Sequence, residues 1–173
     1  PWSLPRALSV EQGGFATDKY DSFVFGDDVV LHLDGAERVK APTPDCAAPL
    51  DVKGTLKEWQ DNVSTPALHS NLLMFGLCGG FAAPLLQILG LPCVTIHLNG
   101  TSGDGKSSIL KAVASIYGGE DRVTGWDKTK NGFEVVAARH NNQPLIIDEI
   151  GQGDAGTLDK IAYQLNNGVG KDT

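Results

Sequence analysis

"HLNGTSGDGKSS", residues 97–108, decides how this chain folds. It begins within a short β-branched run, Cys93–Asn99, and runs into Ser107–Tyr117, where Ile109, Leu110, Val113, Ile116 and Tyr117 recur at helical spacing. Between strand and helix, Gly100 to Ser107 fits G-x-x-x-x-G-K-[ST], the phosphate-loop or Walker A pattern, in the context that pattern requires. Glycines let successive backbone N–H groups curl round one concavity. A helix starting near Lys106 aims the positive end of its dipole at the same place. Lys106 brings a full charge to the outer phosphates, a binding and a catalytic role. The Ser107 hydroxyl is a hard oxygen ligand for a magnesium ion riding on them. The expected cradle is Gly100, Thr101, Ser102, Gly103, Asp104, Gly105, Lys106, Ser107 and Ser108. A serine nucleophile elbow, G-x-S-x-G, begins the same way at Gly100-Thr101-Ser102, but Asp104 stands where its second glycine belongs.

The second signal is "PLIIDEI", residues 144–150. Its continuous apolar run suits a strand buried on both faces, predicted over Gln143–Ile150. Asp148 then stands at the strand tip, where a phosphate-loop enzyme needs a carboxylate for the magnesium shell (the Walker B position). Glu149 beside it is the natural general base for an attacking water. The 42 residues from Lys106 to Asp148 fit one helix, one strand and one more helix.

The surrounding pattern agrees. "RVTGW" reads as a short strand and Asn131–His140 as a helix burying Phe133, Val136 and Ala137. Thr157–Asn167 reads as a helix with Leu158, Ile161, Ala162 and Leu165 on one face. Strands alternating with helices predict an α/β fold, a three-layer phosphate-loop NTPase with a parallel sheet, over residues 93–173. Residues 54–92 read as a helical lead-in: Thr55 caps a helix with Glu58 three residues on, and the apolar helical run that follows ends at Pro92. Residues 1–53 look loosely organised, with a β-hairpin over Asp21–Leu33 turning at Gly26-Asp27-Asp28 and a proline-rich connector, Lys40–Asp51.

Composition sets the outer limits. The chain has 173 residues, 41% of them hydrophobic, enough for one domain with a core. Its net charge of −7 excludes a broad basic nucleic-acid footprint, so any such contact is local. Cys46, Cys78 and Cys93 show no pairing pattern and read as small buried hydrophobes in a reducing, cytoplasmic setting. The four histidines lie at no metal-ligand spacing. The apolar run Leu72–Leu86 is shorter than a membrane span and holds three glycines and a proline, so a buried helix is expected rather than a membrane segment.

Several stretches together resemble one family, domain of unknown function 927, found in phage- and plasmid-borne primase–helicase-like proteins. They are "GTLKEWQDNVSTPALHSNLL", "GGFAAPLL", "HLNGTSGDGKSSILKAVASIYG", "GWDKTKNGFEVVAARHNNQPLIIDEIGQ" and "IAYQLNNGVGK", covering most of residues 54–171. The resemblance implies a helicase-like ATPase core with ATP and magnesium as cofactors. It also implies action on DNA and assembly into a homo-oligomer such as a ring. Gly100, Gly105, Lys106 and Ser107 fall on the family's phosphate loop, and Asp148 and Glu149 on its acidic strand. Trp126, Thr129, Asn131, Gly132 and Glu134 fall on a further shared stretch to which no role is assigned; Glu134 reads as a solvated acid on a helix face. Such proteins continue into another strand with a polar sensor and then an arginine reaching a neighbour's nucleotide. The chain stops at Thr173, so the core is expected to be incomplete. Arg122 and Arg139 read as solvated surface charge rather than as that finger.

The leading expectation is an ATP-driven helicase or translocase of mobile-element replication. The alternatives are a nucleotide-gated switch or defence-type ATPase with the same site, and an inactive helicase derivative, against which the intact Lys106 and Asp148–Glu149 speak. In ring helicases of this layout a loop between acidic strand and next strand points into the channel. "NNGVGK", residues 166–171, occupies that interval, and Lys171 would hold a nucleic-acid phosphate there. A plain helix C-cap followed by a solvated lysine fits the same residues.

Overall fold

The computed structural model describes residues 8–10, 12–25, 29–36, 38–40, 50, 52–126, 130–148 and 163. The Gly26-Asp27-Asp28 turn and nearly all of the Lys40–Asp51 connector lie outside them, as does the Thr157–Asn167 helix apart from Tyr163, which is helical.

The N-terminal region is more ordered than its sequence suggests. It holds β1 (Leu8–Ser9), β2 (Gly14–Phe15), β3 (Ser22–Val24), β4 (Val30–His32) and β5 (Val39–Lys40). Strands β2, β3 and β4 form an antiparallel meander in which Phe23 faces Leu31 across the expected hairpin. β1 and β5 pair in parallel and close the ends of the region. Val24 and Val39 form its small core, with Val10, Ala16 and Val30 against them. Strands of two or three residues are too short to show alternation, which is why the sequence reads as loose.

The helical lead-in starts as expected. α1 (Leu56–Trp59) has a capping box: Glu58 N donates to Thr55 Oγ1 at 3.2 Å and Thr55 N donates to Glu58 Oε2 at 2.8 Å. A π turn, Gln60–Ser64, and α2 (Thr65–Ala67) lead to α3 (Asn71–Ile88), which Ser70 caps. α3 stops before Pro92 because Gly90 adopts φ +62°, and the amides of Gly90 and Leu91 close back on the carbonyls of Gln87 and Leu86.

α3 packs closely on α4 (Lys106–Ala114). A Cβ at Gly76 would lie 2.7 Å from Ile109 Cγ2, and one at Gly80 would lie 2.8 Å from Ile116 Cδ1. Glycines at i and i+4 therefore remove the side chains that would hold the two helices apart. Pro84 sits inside α3 and leaves the Gly80 carbonyl without its helical donor. The Tyr117 hydroxyl, just past α4, donates to that carbonyl at 3.0 Å. α3 is exposed at Leu72, Phe75, Phe81, Leu85 and Ile88, and only 17% of this 18-residue apolar helix is buried. By length and composition alone it could cross a membrane, and the buried helix expected from the sequence is buried only along the face that meets α4. Cys78 and Cys93 are exposed, contrary to the expectation of buried cysteines.

After a 3₁₀ turn, Glu120–Arg122, come β6 (Val123–Thr124), α5 (Lys130–Arg139) and β7 (Ile146–Ile147). β6 and β7 pair in parallel, Val123 with Ile146 and Thr124 with Ile147, with α5 as the crossover. The core beneath α4 consists of Ile109, Val113, Ala114 and Ile146, flanked by Leu73, Leu98, Leu110 and Val123. The strand expected over Cys93–Asn99 does not form: these residues join no ladder, and Val94 is 62% and Ile96 45% exposed. Strand preference expresses fit to a pleated neighbour, and here only Leu98 reaches the core. Among the described residues of the 93–173 segment the parallel sheet is therefore the β6–β7 pair.

Asn141 and Asn142, between α5 and β7, tie the N-terminal sheet to this unit. Asn142 Oδ1 accepts from Phe15 N at 3.1 Å, Asn141 Nδ2 donates to Gly13 O at 3.0 Å, and Asn142 Nδ2 also bonds Gln87 Oε1. A cavity of about 500 Å³ lined by Val10, Gln12, Phe15, Ala16 and Ala138 lies alongside that junction.

Candidate functional site

The loop before α4 takes the form that its glycines permit. Gly103 (φ +91°) and Gly105 (φ +80°) are left-handed, a backbone region L side chains rarely enter, and Gly105 is the residue from which α4 starts. No side chain caps α4 and no acid stands in its first turn. Its first N–H groups, which have no partner within a helix, are thus left for a ligand or solvent. Ser102, Gly103, Gly105, Lys106, Ser107 and Ser108 line an open concavity of about 330 Å³. The Lys106 ammonium lies over the loop, donating to the carbonyls of Gly100 at 2.9 Å and Thr101 at 2.6 Å. Asp104 lies across the base of the loop, both its oxygens accepting from the Thr101 hydroxyl at 2.9 Å. Of the nine predicted cradle residues six thus line the concavity, while Gly100, Thr101 and Asp104 do not; all are exposed except the half-buried Lys106.

Asp148 follows directly on β7, half-buried, and its amide donates to Thr124 O at 2.9 Å, continuing the ladder one residue past the strand. α4 rests on this pair: Ile109, two residues after Ser107, shares a core with Ile146, two residues before Asp148. Glu149 and Lys171 lie outside the described residues, as does Thr129. Glu134 is exposed on α5, as expected of a solvated acid, while Trp126 packs its indole against the buried Phe133 ring at 5.1 Å between centroids. Among the described residues no three His, Cys, Asp or Glu side chains cluster to hold a metal ion.

Arg122 is a correction to the sequence reading. It is 2% exposed, neither a solvated charge nor a free finger. Its Nη1 donates to Gln143 Oε1 at 2.7 Å, and its guanidinium lies 5.7 Å from the centroid of the Tyr117 ring. Burial lowers its pKa to about 10 and pushes that of Tyr117 up to about 12, so both remain protonated near neutrality. Arg122 immediately precedes β6 and Gln143 lies three residues before β7, so their bond joins the entering ends of the two strands. His140, 8% exposed at the end of α5, is held below the ordinary imidazole range by burial, with Nδ1 2.8 Å from Val136 O. Its Nε2 is buried with no hydrogen-bond partner among the described residues. Nothing local announces these contacts: an arginine next to two acids, Glu120 and Asp121, reads as surface.

The family match covers almost the whole chain. Residues 2–173 match the domain of unknown function DUF927, and the chain belongs to that family. No curated protein and no solved structure matches it.

Proposed function

We propose that the chain is the nucleotide-binding core of a phosphate-loop ATPase, with a three-layer α/β architecture around the β6–β7 pair. The observation that carries this reading is the loop itself: two left-handed glycines, an uncapped α4 and the Lys106 ammonium converge on one concavity lined by Ser107 and Ser108. A polyphosphate satisfies that arrangement as no neutral ligand does.

In this reading the first-turn amides of α4 and Lys106 hold the outer phosphates. Ser107 and Asp148 would each offer an oxygen to a magnesium ion held mainly by phosphate and water, the usual way for this cation. The bound ion would neutralise charge building on the transferred phosphate. Glu149 takes the proton of the attacking water. Base preference for adenine, action on DNA, homo-oligomeric assembly and a cytoplasmic setting come from the family resemblance, as does a helicase-like motor of mobile-element replication. The acidic balance of the chain, −7, favours a local DNA contact such as Lys171. The test is ATP turnover with and without single-stranded DNA. DNA-stimulated hydrolysis supports the motor; hydrolysis indifferent to DNA supports a nucleotide-gated switch or defence-type ATPase; binding without turnover supports an inactive derivative.

A further inference from the structure

The phosphate loop carries one cation and one anion, and they make no ion pair with each other. Lys106 Nζ is taken up by the carbonyls of Gly100 and Thr101, and the Asp104 carboxylate by the Thr101 hydroxyl. Neither makes an ion pair with another of the described residues. The placing of the carboxylate is built into the loop. A Cβ on Gly100 would lie 2.7 Å from Asp104 Oδ2, so glycine at that position makes room for the acid. The Thr101 hydroxyl meets both carboxylate oxygens and holds the group across the loop. Asp104 is therefore a negative charge held on the loop beside the concavity, two residues from the lysine that would attract an anion.

We propose that Asp104 is a charge filter: it makes the loop favour a nucleoside triphosphate already complexed with a divalent cation over the bare polyanion. The inference rests on the nucleotide-binding reading of Gly100–Ser108 and adds to it the ionic form of the ligand. A bare triphosphate carries about four negative charges and its magnesium complex about two, since the ion is the largest local charge in such a site. With a separation on the order of 8 Å and an effective dielectric of about 40, Asp104 opposes each ligand charge by about sixfold at low salt. Screening reduces this to about twofold at physiological salt. The difference of two charges then gives a preference of about thirtyfold at low salt and about fourfold at physiological salt.

The experiment is calorimetric titration of a non-hydrolysable ATP analogue, in EDTA and in excess magnesium, at both salt levels. The proteins are the native chain, Asp104→Asn and Asp104→Glu. Asp104→Asn should tighten the bare analogue more than the complex, lowering the complex-to-bare affinity ratio by about thirtyfold at low salt and about fourfold at physiological salt. Asp104→Glu, which keeps the charge, should keep the native ratio. An unchanged ratio in Asp104→Asn with binding intact overturns the filter and leaves the nucleotide reading standing. A weakened magnesium complex with unchanged affinity for the bare analogue makes Asp104 a metal ligand and overturns the filter as well. A native protein that binds neither form defeats both.

Discussion

Replacing Tyr117 with Phe tests the packing of α4 against α3 at a single atom. Pro84 has no N–H, so the carbonyl of Gly80, four residues earlier, lacks its helical donor. The Tyr117 hydroxyl supplies one at 3.0 Å. Gly80 and Tyr117 are both buried, so water does not readily take the place of the phenol. The substitution keeps the ring and removes only the donor. An unpaired buried acceptor costs about 1–3 kcal/mol. Carbonyl oxygens tolerate loss of a partner better than amides do, which puts the expectation at about 1–2 kcal/mol. That is roughly 2–8 °C in Tm for a chain of this size. The assay is urea unfolding of four proteins: native, Tyr117→Phe, Pro84→Ala and the double variant. Pro84→Ala returns an N–H to the helix, so Tyr117→Phe should then cost about 1 kcal/mol less. Equal costs in the two backgrounds would refute the pairing of Tyr117 with the proline.

Glu149→Gln should bind nucleotide normally and hydrolyse it about a hundred- to ten-thousandfold more slowly, as phosphate release would report; a native rate removes Glu149 as the base. His140 is held below its ordinary pKa by burial, so the folded protein keeps it neutral while the unfolded chain takes up a proton below about pH 6.5. The unfolded state then binds more protons, and stability falls as pH drops below that value. His140→Gln should flatten this acid slope in Tm between pH 5 and 7, and an unaltered slope would assign it to other groups.

What was legible in the sequence is what short-range chemistry decides. Thr55 and Glu58 form the capping box their spacing announces. Val123–Thr124, Lys130–Arg139 and Ile146–Ile147 fall within or close to the stretches that periodicity predicts for strand, helix and strand. The glycine turn before α4 was readable because its residues are contiguous and its form is carried by backbone conformation. Contacts between distant residues were not readable. The donor for Gly80 comes from Tyr117, 37 residues on, and the acceptor for Arg122 from Gln143, 21 residues on. Composition also misled at Cys93–Asn99, where β-branched residues that pair with no strand among the described residues stay open. In the N-terminal region the parallel pairing of Leu8–Ser9 with Val39–Lys40 joins segments 31 residues apart, each only two residues long.

The central claim is that Gly100–Ser108 is a phosphate cradle with Lys106 as its cation. Calorimetric titration of the magnesium complex of a non-hydrolysable ATP analogue into the native protein and into Lys106→Ala tests it most directly. The account predicts saturable one-to-one binding to the native protein and its loss in the variant, because the loop has no other cationic side chain. Native affinity in Lys106→Ala, with its fold intact by circular dichroism, would contradict it.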